Sequence, residues 1–195
     1  MARRADHTRE ELTELILDAG IEIIENEGFS NFSARKVASR IGYTVGTIYN
    51  VFGNHEMLIL HINARTLDQW FDELEQSVKG KQGVAALKAM ARNYIAFSAR
   101  HYNLWTVLFD HRSNADQDMP DWYKPKLSRF FALVEDILGP MLGHQQNTIH
   151  QTARILWAGI HGICVLSLSH KLELTETDSA EILAMSLIDQ YIKGL

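Results

Sequence analysis

Residues 33–55 read SARKVASRIGYTVGTIYNVFGNH, from Ser33 to His55. No aspartate or glutamate occurs between Glu27 and Glu56, although the whole chain carries a formal net charge of -5. An acid-free window in an acidic protein suits a surface that approaches phosphate. Val37, Ala38 and Ile41 share one helical face while Arg35, Lys36 and Arg40 fall elsewhere, and Ile48 and Phe52 repeat the i, i+4 interval. Between them Gly42 can take the left-handed conformation that ends one helix, and Thr44 can place its hydroxyl on the free amides that begin the next. The stretch is expected to fold as a helix-turn-helix whose second helix, over 44–51, enters the major groove of DNA.

From that geometry the contact residues follow. Thr44, Val45 and Thr47 lie near the N-terminal end of the second helix, where side chains reach base edges, and Gly46 lets the backbone approach closely. Tyr49 and Asn50 are next in reach, and Asn50 can pair with adenine or bind phosphate. Arg35 and Lys36 begin the preceding helix, and the helix start at Asn54 and His55 offers backbone amides to a phosphate. Arg3, Arg4 and Arg9 form either a minor-groove arm or a solvated charged tail.

These residues also resemble a known family. Phe32, Arg35, Val37, Ala38, Ile41, Gly42, Thr44, Gly46, Thr47, Ile48, Tyr49, Phe52, Asn54, Glu56, Met57 and Leu58 are similar, at fixed spacing, to the DNA-binding signature of the tetracycline-repressor (TetR) regulators. The likeness covers residues 8–60, and the remainder only in helix layout. It implies that Tyr49 serves the phosphate backbone. His55 stands where the family usually has lysine, and Val51 where an aromatic residue or histidine is frequent; the first change weakens one phosphate contact. A second echo, WAGIHG at 157–162, resembles the Trp-His-Gly signature of one subgroup's C-terminal domain.

Outward from the window, Thr8 and Glu11 form a capping box, and Leu12, Leu15, Ile16, Ala19 and Ile23 mark the stripe of a helix that buttresses it. Seven of the eight acids in residues 1–55 lie on this helix and are expected to face away from DNA. Phe29 and Phe32 are expected as core pins. Asn54 caps a long fourth helix up to the break at 80–83, followed by helices over 84–98, 101–110, 122–138, 145–169 and 179–192. The expectation is an all-α fold of about nine helices: a helix-turn-helix domain over 1–53 and a larger helical regulatory and dimerisation domain over 54–195.

The 195 residues are 46% hydrophobic, enough for a sizeable core. The single cysteine, Cys164, excludes an internal disulfide and a cysteine metal cluster, which makes a reducing, cytoplasmic setting the default. The N-terminus lacks the apolar segment of a secretory signal, and the longest apolar run, over 155–168, is too short to cross a bilayer. His161 and Cys164 are i, i+3 but lack an accompanying oxyanion or phosphate loop, and His101 and His111 lack zinc-helix spacing. No enzyme activity, metal or cofactor is expected.

In the C-terminal part, Trp105, Phe109, Trp122, Phe130, Trp157 and His161 belong to an aromatic-rich set at helical spacings. Such a set either packs as ordinary core or lines an apolar ligand cavity. The family resemblance implies the second, with His161 and Trp157 facing the cavity. Ile155, Leu156, Gly159, Ile163, Leu166 and Ser167, with Ile182, Leu183, Leu187 and Ile188, offer more apolar surface than a small core needs, which predicts a two-fold homodimer. Two recognition helices would then match a palindromic operator. The expected function is a ligand-responsive transcriptional regulator, in the main a repressor released by a small, largely apolar effector. The alternative is a helical protein-interaction module that binds no DNA.

Overall fold

The computed structural model describes residues 7–110, 119–143, 145–172 and 179–195. Among them the chain forms nine α-helices, one short 3-10 turn over Phe29–Asn31 and no strand. The helices are α1 (Arg9–Glu27), α2 (Ala34–Ile41), α3 (Val45–Phe52), α4 (His55–Val78), α5 (Gly83–Arg100), α6 (Tyr102–Asp110), α7 (Lys124–Leu138), α8 (Gln146–Leu168) and α9 (Ala180–Lys193). Two compact units result. The first takes the described residues of Met1–Thr66 and His101–Met119, the second those of Leu67–Arg100 and Pro120–Leu195. Arg3, Arg4 and His111 lie outside the described residues.

In the first unit, α1 starts at the expected capping box: Glu11 N donates to Thr8 Oγ1 at 3.2 Å, and Thr8 N donates to Glu11 Oε2 at 2.8 Å. Its stripe, Ile16, Ala19, Ile23 and Ile24, is buried against Val37, Ala38, Ile48 and Phe52. Gly20 permits the approach of α4, since a Cβ there would stand 2.7 Å from Ile62 Cδ1. Phe32 is buried and Phe29 stacks on it with ring centroids 5.9 Å apart. Both act as core pins.

The division departs from the expected boundary at 53/54 in two places. Leu58, Ile59 and Ile62 of α4 are fully buried in the first core, so the start of α4 stays with the helix-turn-helix. Further along, α6 returns to the same unit, where Leu104 and Val107 enter that core and Asn103 Nδ2 donates to the Glu25 carbonyl at 2.8 Å. Helical periodicity tells which face of α6 is apolar but not which core receives it.

The second unit packs α5 against α9 and α8, with α7 alongside. Trp70 stacks on Phe97 at 5.2 Å and meets Tyr94 and Phe130 at 4.9 Å each, while its indole N–H donates to Asn93 Oδ1 at 3.1 Å. Gly159 lets α9 approach α8: a Cβ there would lie 2.5 Å from Leu187 Cδ2. Lys88 and Arg92 of α5 reach Asp189 and Glu181 of α9 at 2.7 and 2.6 Å. Trp122 and Tyr123 precede α7 in a turn, where periodicity placed them inside the helix.

Candidate nucleic-acid interface

The candidate interface is built on two short helices whose ends are set by side chains within three residues. Ser33 accepts from Lys36 N at 3.2 Å and starts α2; Gly42, at φ 76° and ψ 25°, ends it in the left-handed region. Thr44 accepts from Thr47 N at 3.2 Å and starts α3, and the two threonine hydroxyls pair at 3.0 Å. Asn54 Oδ1 accepts from Met57 N at 2.8 Å at the head of α4. Ile48 and Phe52 bury the inner face of α3. The outer face is thereby left to Thr44, Gly46, Tyr49 and Asn50, all exposed, with Thr47 half-buried beside them.

Gly46 has no internal reason to be glycine. A Cβ there would meet only Thr44 Oγ1, at an ordinary 3.6 Å, and the backbone is not left-handed. The space it keeps open is therefore outside the protein. Val45 is half-buried and packs against the first core, so only part of its side chain faces outward. Arg35 is exposed. His55 is half-buried and stacked on Phe32 with centroids 5.6 Å apart, and its position at the start of α4 is as much structural as interfacial.

The acids of α1 also pair with cations of the basic window: Glu27 holds the Lys36 ammonium and Arg40 Nη2, the latter at 2.8 Å, and Glu22 reaches Arg40 Nη1 at 3.0 Å. Glu14 and Asp18 likewise reach Arg65 at 2.8 and 3.2 Å. The hydrogen bond from Lys36, opposed by desolvation and aided by Arg40, holds the Glu27 carboxyl below its usual range. Lys36 is thus committed to α1 in this state, which leaves Arg35 as the cation of α2 directed to solvent. An ion pair between residues nine apart across a turn has no periodic signal. Another contact had none either. His7 Nδ1 and the Tyr43 hydroxyl, 36 residues apart, lie 2.7 Å from each other at the head of α3.

The six aromatic candidates for an effector site divide between the units. Trp105 and Phe109 belong to the first, their rings 4.8 Å apart, with Trp105 buried. Trp122, Phe130, Trp157 and His161 belong to the second. There Trp157 stacks on His161 at 5.5 Å, His161 Nδ1 lies 2.7 Å from the Tyr94 hydroxyl, and Phe131 meets Trp157 edge-on at 5.7 Å. One turn along α8, Cys164 Sγ lies 2.8 Å from Ser98 Oγ, and burial pushes its thiol pKa up. Tyr94, Ser98, His161 and Cys164 thus form a polar seam between α5 and α8. An open groove of about 700 Å³ in the second unit is lined by Asp72, Glu73, Glu75, Gln76, Asn93 and Arg100, none of them from the aromatic set.

The apolar surface expected for dimerisation is partly used within the chain. Leu156 and Ile188 are buried, and Leu187 fills the space beside Gly159. The large apolar side chains exposed on these two helices are Ile155, Trp157, Val165 and Leu166 on α8 and Ile182 on α9, and Gly162 of α8 is open as well, a Cβ there meeting nothing within 4 Å. Among the described residues no helix is long and apolar enough to cross a membrane, and no group of three His, Cys, Asp or Glu side chains is placed to hold a metal ion.

Residues 16–62 match the family model described as bacterial regulatory proteins of the tetR family, and residues 87–191 the model of the tetracyclin repressor-like C-terminal domain. The chain is 25% identical over 185 residues to the uncharacterized HTH-type transcriptional regulator YobS of Bacillus subtilis, covering 93% of this chain and 91% of that one. Over 66 residues, 34% of each chain, it is 30% identical to the fatty acid metabolism regulator protein of Bacillus subtilis. Among solved structures, the transcriptional regulator FadR from Bacillus subtilis in complex with stearoyl-CoA aligns with a TM-score of 0.71 at 19% identity, covering 93% of this chain and 98% of that one. A protein of unknown function from Rhodococcus sp. RHA1 aligns at 0.79 and 17% identity over 100% and 99% of the chains.

Proposed function

We propose that this chain, which belongs to the tetracycline-repressor family and is a ligand-responsive DNA-binding regulator, represses transcription as a homodimer on a palindromic operator and is released by a small, largely apolar effector. The observation that carries the DNA half is the outer face of α3, where a capped helix start, an unexplained glycine and exposed Tyr49 and Asn50 stand together in an acid-free window. Thr44, Val45 and Thr47 are assigned to base edges, and Arg35, Tyr49 and the amides at His55 to phosphates. Lys36 joins them only by exchanging Glu27 for phosphate.

The homodimer reading rests on Ile155, Gly162, Val165, Leu166 and Ile182, which stay open to solvent among the described residues of the second unit. The effector reading rests on the aromatic side chains of the second unit and on the stearoyl-CoA held by the similar FadR, so a long-chain acyl-CoA is the first probe. The Trp157–His161 stack within WAGIHG supports placing the C-terminal domain in the Trp-His-Gly subgroup. A soluble cytoplasmic regulator without catalytic activity completes the reading. An effector that prefers one separation of the two DNA heads lowers operator affinity by its preference for that state.

Selection of bound duplexes from a random pool is the test. Enrichment of a palindrome, binding that weakens steeply with salt, and loss of binding in Thr47→Ala and Tyr49→Ala with unchanged thermal unfolding are expected. A pool that shows no enrichment at low salt returns the chain to the protein-interaction alternative. Titration of acyl-CoA against the bound operator, followed by Trp fluorescence, tests the effector.

A further inference from the structure

Tyr43 occupies the turn between the left-handed Gly42 and the helix-capping Thr44, and its own N–H donates to the Ala38 carbonyl at 2.9 Å, which fixes the turn. Its hydroxyl lies 2.7 Å from His7 Nδ1, with ring centroids 6.0 Å apart. His7 directly precedes Thr8, the N-cap that Glu11 locks in place. The imidazole is thus held between the starts of two capped helices, at the end of α3 from which side chains reach DNA.

A contact between exposed polar groups adds little to stability, because water replaces it at small cost. Its consequence is positional. When the phenol donates to Nδ1, the neutral ring carries its proton on Nε2, and a protonated ring carries one there too. Either form presents an N–H donor away from Tyr43. On the helix-turn-helix side the ring faces a window without acids, since none occurs between Glu27 and Glu56, and Glu11 is turned onto the Thr8 amide; Asp6 and Glu10 are its acidic neighbours in sequence.

We infer that His7 is a DNA-backbone contact, its imidazole Nε2–H donating to a phosphate oxygen beside the first turn of α3, with Tyr43 as the residue that positions it. The inference rests on the DNA-binding reading above and extends the interface from the helix-turn-helix to the residue preceding α1. It assigns no base-reading role to either side chain.

Fluorescence anisotropy with the selected palindrome and a random duplex of equal length tests it. His7→Ala is expected to bind both about tenfold more weakly, since a phosphate contact carries no sequence information and each half-site loses one hydrogen bond. His7→Gln, whose amide keeps a donor at similar reach, recovers most of that loss. Tyr43→Phe weakens binding by about threefold alone and adds nothing to His7→Ala, as coupled residues do in a double-mutant cycle. Should His7→Ala fail to fold, the His7→Gln and Tyr43→Phe pair carries the same comparison. Wild-type affinity in His7→Ala, a loss confined to the palindrome, or additive losses each overturn the assignment. If Tyr49→Ala loses binding while the His7 and Tyr43 variants do not, this inference fails and the DNA-binding reading stands; if the wild type binds neither duplex, both fail.

Discussion

The helix-turn-helix and the α5–α9 bundle are both all-helical, yet they are specified by different kinds of interaction. Around α3 every helix start is capped by a side chain acting three residues away: Thr8 on Glu11, Ser33 on Lys36, Thr44 on Thr47 and Asn54 on Met57. In the bundle, α7 and α8 start without any side-chain cap, although α9 starts on Ser179, and the polar contacts span the sequence, with Lys88 to Asp189 across 101 residues and Tyr94 to His161 across 67. A surface that must meet a regular duplex is held by local rules that fix the height and angle of one helix. A region assigned to a partner copy and an effector is held by tertiary packing, which can be repacked without disturbing that helix. The difference predicts where a single substitution acts on binding and where it acts on stability.

The largest effect is expected on the exposed strip of α8. Ile155 is 39% exposed, so Ile155→Asp should leave the monomer fold within about 0.5 kcal/mol of wild type. Burying that carboxylate against a second copy would be costly, and the variant should sediment as a monomer at micromolar concentration. With one recognition helix in place of two, operator affinity should fall by more than about a hundredfold, the gain that tethering two modules ordinarily supplies. A dimeric Ile155→Asp protein with normal operator binding would remove α8 from the interface and leave the strip unexplained.

How much of this was legible before the structure follows the same divide. Gly42, Thr44, Ser33 and Asn54 could be read as stops and caps because capping depends on residues three or four apart, and all four adopt those roles. The commitment of Lys36 to Glu27, the return of α6 to the first core and the His7–Tyr43 contact were not legible, since each depends on how separate helices lie against one another. The aromatic candidates show the limit most clearly. Their helical spacing was readable, but spacing along one helix does not reveal that Trp105 and Phe109 pack in one unit and Trp157 and His161 in the other.

A second pair of substitutions sharpens the comparison through packing. At both Gly20 and Gly159 an added Cβ would fall inside contact distance, 2.7 Å from Ile62 Cδ1 and 2.5 Å from Leu187 Cδ2. Ile62 is β-branched and fully buried, and Phe32 Cε2 lies 3.4 Å from the same added Cβ, so Gly20→Ala should cost about 1–2 kcal/mol even after the roughly 1 kcal/mol that alanine gains in a helix. Leu187 is half-buried and can swing toward solvent, so Gly159→Ala should be within about 0.5 kcal/mol of wild type. Urea denaturation of the two variants checks the order. Equal costs would mean that the α8–α9 seam is as rigid as the core beneath α3.

The smallest effects are expected from pH, and they separate the two regions by sign. Ionised Glu27 is favoured in the folded first unit by Lys36, so its contribution is complete above its ordinary value of 4.5 and disappears as pH falls through its lower folded value. Glu27→Gln should therefore lie below wild type in urea midpoint at pH 7 and converge with it under acid. In the second unit, burial raises the Tyr123 phenol from 10.0 to about 12, so the neutral form is favoured on folding and its contribution is present below pH 10 and lost as pH rises toward 12. Tyr123→Phe should flatten that alkaline limb while leaving the acid limb unchanged. Because Glu27 lies at the surface, screening by salt should shrink its effect and leave that of buried Tyr123 intact. Repeating both titrations at high ionic strength therefore distinguishes an ion pair that organises the back of the DNA-binding surface from a burial effect that belongs to the bundle's interior.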